Sequence, residues 1–150
     1  MFARFLRTAL LGLALTAPAF ADTSATTPQK DSPMTKIQFT FGADVLTATL
    51  DDTPSGRDFA AMLPLDLDLT DYHGIEKIAD LPRKLDTTDA PRAYKPETGD
   101  ITLYAPWGNL AIFYKPFQKS NGLVRLGAFD GSVAPLVDAG DTSVRIEIAD

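Results

Sequence analysis

The chain has no cysteine, one histidine and one tryptophan. Without cysteine there is no disulfide, no thiol nucleophile and no thiolate metal site, so order must come from burial alone. With His73 as the single imidazole, a Ser-His-Asp triad has one candidate base and no Gly-x-Ser-x-Gly elbow to serve it. Gly-x-Gly-x-x-Gly and Walker loops are also missing, which leaves nucleotide cofactors without a phosphate cradle. We therefore expect no cofactor and no metal. Positive charge is scarce as well: 14 Lys and Arg stand against 20 Asp and Glu. The basic residues are dispersed, which argues against a nucleic-acid or anionic-lipid partner.

What is present begins with a leader. Arg4 and Arg7 precede the apolar run Ala9–Ala17, and Ala19-Phe20-Ala21 places small residues where a signal peptidase cuts. Residues 1–21 are expected to be a cleavable signal peptide, with a periplasmic or extracellular product. The run is shorter than the roughly 20 apolar residues of a spanning helix, so no membrane association is expected once the leader is gone. Its removal takes the formal charge from −6 to −8. Residues 22–35 hold almost nothing that could be buried and read as a flexible linker. One domain, residues 36–150, remains.

Within that domain the dominant period is two. Ile37, Phe39 and Phe41 alternate with Gln38 and Thr40, Gly42-Ala43-Asp44 turns the chain, and Val45–Leu50 returns it. Thr53 can cap a helix that Pro54 starts and Pro64 stops, with Phe59, Met62 and Leu63 on one stripe. In Leu65–Thr70 the leucines point one way, and Asp66 and Asp68 point to solvent. Residues 71–99 read as mostly irregular, with one short strand or turn near Glu76–Leu81. Further strands are expected at 100–105, 109–115, 123–129 and 143–149, and a helical turn at Ser132–Leu136.

The order Arg57-Asp58-Phe59, Leu63-Pro64, Gly99-Asp100-Ile101, Trp107 to Tyr114, Gly122-Leu123, Leu126-Gly127 and Phe129-Asp130 resembles the small bacterial cyclophilin-like family. The resemblance implies a mainly β fold, a closed or nearly closed barrel of about eight strands with one or two short helices. True cyclophilins are peptidyl-prolyl isomerases with a Phe-His-Arg strand followed by Phe-x-x-Gln. Neither motif stands here, so the catalytic positions do not transfer.

Three functions remain open: a non-enzymatic binder of a small ligand or extended peptide in a groove on the barrel, an isomerase acting on exported proteins, and a structural or interaction module. The candidate ligand-binding residues are Tyr72, Glu76, Arg83, Tyr104, Trp107 and Arg125. For Trp107 the first expectation is that it plugs one barrel end, and the second is that it lines a groove with Tyr104 and Tyr72. Arg125 is expected either to pair with an acidic neighbour such as Glu76 on the surface, or to converge with Glu76 and Arg83 on a pocket beside Trp107.

Overall fold

The computed structural model describes residues 34–150. The leader expected at 1–21 and most of the linker expected at 22–35 lie outside the described residues. Antiparallel pairing begins where alternation does. Lys36–Phe41 (β1) and Asp44–Leu50 (β2) form a hairpin through Gly42, whose φ of 54° suits a residue without Cβ. In β1 the odd positions Ile37, Phe39 and Phe41 are all buried.

Thr53 caps helix α1 (Pro54–Met62) by accepting a hydrogen bond from the Gly56 amide at 3.0 Å. Phe59 on this helix is fully buried. Leu65–Tyr72 (β3) keeps its leucines inward, and Asp66 and Asp68 are exposed. His73 follows in a turn, exposed and with φ of 53°. Glu76–Asp80 (β4) pairs with β3, with Tyr72 opposite Glu76.

The stretch 71–99 therefore carries more order than its prolines suggest. Besides β4 it holds Ala93–Tyr94 (β5), a two-residue strand. Asp100–Tyr104 (β6), Asn109–Phe113 (β7), Ser120–Asn121 (β8), Leu123–Phe129 (β9), the short helix Ala134–Asp138 (α2) and Thr142–Ile148 (β10) complete the order.

Eight strands close on themselves in the order β1-β10-β3-β4-β7-β6-β9-β2, leaving no open edge in the barrel. Strands β5 and β8 pair separately as a small two-stranded sheet. The barrel interior is a single apolar core that includes Phe39, Phe59, Ile101, Leu110, Leu126 and Ile146. A second, smaller cluster of Ala111, Phe113 and Leu123 lies on the other side of the same strands, packed with Ile78, Tyr94 and Tyr104. Because side chains alternate along a strand, the outer face of β4, β7 and β6 is itself partly apolar.

Candidate functional site

Register decides which side chains share that outer face. Tyr72, Glu76 and Phe113 form one row across β3, β4 and β7. Asp80, Asn109 and Tyr104 form another across β4, β7 and β6. Between them Ile78 stands opposite Ala111, whose methyl leaves space above the sheet. The β6–β7 turn carries Trp107, and the Trp107 and Gly108 amides both donate to the Tyr104 carbonyl, at 3.2 and 2.9 Å. The connection from Phe117 to Asn121 supplies the opposite wall. Together these enclose a cavity of about 510 Å³, within the usual range for a small-molecule site.

Four of the six residues singled out from the sequence line this one cavity: Tyr72, Glu76, Tyr104 and Trp107. The Trp107 ring meets Tyr104 edge-on at 5.2 Å between centroids and 82°, and Tyr72 at 6.1 Å and 89°. Trp107 does not plug a barrel end. It is 62% exposed, because the turn that carries it projects beyond the strands and the interior is already filled by aliphatic and Phe side chains.

Glu76 is half-buried, and burial alone pushes its carboxyl up to about 7. No hydrogen bond or charge from another described residue offsets that burial. The Asn109 side chain is 4% exposed, and its Nδ2 donates to the Leu110 carbonyl at 3.1 Å. Its Oδ1 has no partner among the described residues. Buried acceptors are ordinarily paired; this one is sealed from solvent, so it does not itself face a ligand in the cavity. Sequence reasoning missed Asn109, Phe113 and Phe117; Asn109 looks like a turn residue and Phe113 like the end of an apolar strand.

Arg125 and Arg83 lie elsewhere. Arg125 donates to both Asp51 carboxylate oxygens at 2.8 and 2.7 Å, and its Nε reaches Asp100 at 3.4 Å. Its partners are thus Asp51 and Asp100 rather than Glu76, because β9 meets β6 and β2 in the barrel while Glu76 lies two strands beyond β6. Arg125 borders a separate cavity of about 410 Å³ with Asp51, Thr53 and Tyr94. Asp100 in turn accepts from the Tyr94 hydroxyl at 2.6 Å and the Glu97 amide at 2.8 Å. Burial, and then this carboxylate, hold the Tyr94 phenol well above its ordinary range. Arg83 grips Asp58 through both terminal nitrogens at 2.9 and 2.8 Å, on the surface beside α1. The expected convergence of Glu76, Arg83 and Arg125 does not occur.

One buried cation faces inward. Lys77 is 2% exposed and donates to the Gly140 carbonyl at 2.9 Å, with Asp71 at 3.6 Å. The Tyr114 hydroxyl donates to the same aspartate; desolvation, and then this bond, push the phenol up to about 12. Among the described residues no group of three or more His, Asp or Glu is placed to hold a metal ion.

A sequence model of the cyclophilin-like family matches residues 39–148. Among solved structures, the solution structure of a hypothetical protein from Archaeoglobus fulgidus is similar, with a TM-score of 0.60 at 15% identity, covering 77% of this chain and 95% of that one. At that identity the likeness is one of fold. No curated protein matches.

Proposed function

The chain belongs to the cyclophilin-like family, and from that premise we propose that it is an exported binding module that holds a small ligand or an extended peptide in the groove on the outer barrel face. The observation that carries this is the convergence of Tyr72, Glu76, Tyr104 and Trp107 on one cavity. Large aromatic surface kept in contact with water costs free energy that burial in the core would recover. Here five rings, those of Tyr72, Tyr104, Trp107, Phe113 and Phe117, and a half-buried carboxyl border the same concavity, the composition of a ligand site. The leader-like residues 1–21 support export.

An isomerase would bring a guanidinium to the twisting amide. Arg57, Arg83 and Arg125 are each held by aspartates outside this cavity, which favours binding over catalysis.

Because Trp107 is the single tryptophan, its fluorescence reports this groove alone. Titration with metabolites and proline-containing peptides should change that emission and raise the melting temperature, the gain being about 2.7 kcal/mol at a ligand concentration of 100 Kd. Emission and melting temperature unchanged throughout would reject the proposal in favour of a structural module.

A further inference from the structure

We propose that the groove selects an organic cation, a quaternary or N-methylated ammonium group seated against the exposed Trp107 ring, beside Tyr72 and Tyr104, and facing the Glu76 carboxylate. This rests on the groove being a ligand site, and it adds the chemistry of what enters.

Two independent features point to positive charge. The first is the arrangement of the rings. Tyr72 and Tyr104 both pack edge-on against Trp107, and Trp107 stays 62% exposed at the cavity, so aromatic surface is left for a ligand. An aromatic face is the negative pole of its quadrupole, and tryptophan offers the strongest such face. An ammonium sheathed in methyl groups gains that attraction while losing little hydration, whereas an anion would be repelled.

The second feature is electrostatic. The one carboxyl that lines the cavity, Glu76, has no hydrogen-bond or ion-pair partner among the described residues. The charged and titratable groups that border the cavity with Glu76 are Tyr72 from β3, Tyr104 from β6 and Lys119 from the connection after β7. Lys119 is exposed and solvated, and it forms no ion pair with Glu76 within 4.0 Å. Lys77, the next residue in β4, turns to the barrel interior and the Gly140 carbonyl. No arginine lines the cavity, so an anionic ligand has no fork to meet it. The cation thus supplies the counter-charge that the fold omits.

A pH dependence follows from linkage. Below neutrality Glu76 holds its proton and the site is weaker for a cation; as the proton leaves, affinity rises by up to about tenfold per pH unit, then levels off.

The test is Trp107 fluorescence titration of the full chain with choline and with its uncharged isostere 3,3-dimethylbutan-1-ol, at pH 5.5 and pH 8. Choline should bind about tenfold more tightly than the isostere at pH 8. That preference should shrink at pH 5.5, and in Glu76→Gln it should fall to the same residual value at both pH values, the part that the aromatic faces supply. Equal binding of the two probes by the unmodified chain overturns the proposal, as does choline affinity that is unchanged by pH and by Glu76→Gln. A chain that ignores choline while a peptide or a neutral metabolite shifts Trp107 emission rejects the cation and keeps the groove. Silence toward every probe rejects both.

Discussion

At the scale of single residues the account turns on Glu76 and Arg125. Glu76 carries a carboxyl raised from an ordinary 4.5 to about 7 in the folded chain. Between those values the folded state binds more protons than the unfolded one, so the contribution is fully present below pH 4.5 and is lost as pH rises through 7. Urea unfolding of the unmodified chain should show stability falling across this window, and Glu76→Gln should flatten the slope there. An identical slope in the variant would place the titrating group elsewhere. Acid loss has other owners: Asp58 and Asp130 sit below the usual carboxylate range, the first chiefly through Arg83 and the second chiefly through the Thr49 hydroxyl. Their contributions disappear at lower pH.

Arg125→Met removes the cation between Asp51 and Asp100 and should cost about 1–3 kcal/mol, measured by chemical denaturation. The Trp107 groove should keep its ligand affinity, since Arg125 borders a different cavity. Loss of groove binding with stability intact would reverse that assignment. Glu76 was legible in the sequence as a charge interrupting an apolar segment, and Tyr104 and Trp107 as aromatics at a turn, with Tyr72 as a third candidate ring. The partners of Arg83 and Arg125 were not, because Asp58 and Asp51 are 25 and 74 positions away in the chain.

Strands announce themselves by alternation only when they are long enough to alternate. β1, β3, β9 and β10 have six to eight residues each, and their inward positions could be read directly. β5 and β8 have two residues each, too few for any period, and both lay hidden in segments rich in Pro, Lys and Ser. α1 was legible from Thr53 and Pro54, since capping chemistry is local. At the level of elements, closure of the barrel depends on how near β2 approaches β9. Gly127 stands opposite Leu50, and a Cβ placed there would fall 2.2 Å from the Thr49 carbonyl oxygen. Gly127→Ala must therefore push the two backbones apart and should destabilise by about 1–3 kcal/mol, read as a lower denaturation midpoint. A neutral substitution would mean that β9 has slack the packing does not show.

For the molecule as a whole, topology makes the site. β4 ends at Asp80 and β7 begins at Asn109, and nothing in the intervening sequence says that they pair. Only the closed strand order lays Glu76 beside Phe113 and brings Trp107 back toward Tyr72. The mainly β class was readable because period-two runs separated by turn residues suit an antiparallel sandwich or barrel; the closed barrel came from the resemblance to the cyclophilin-like family. The cavity was not, because it is assembled across three strands and a turn. Export stands as a proposal from residues 1–21, and it sets where a ligand would be met: outside the cytoplasm, by an acidic domain of formal charge −8 after processing, which draws cations toward it.

The most direct measurement is amide and indole chemical-shift mapping by NMR on the isotopically labelled chain during ligand titration, beginning with choline and extending to proline-containing peptides. The account predicts perturbations that cluster on the Trp107 indole N–H, on Tyr72, Glu76 and Tyr104, and on the 117–121 connection. Shifts confined to the Asp51 and Arg125 cavity, or no saturable shifts with any ligand, would contradict it.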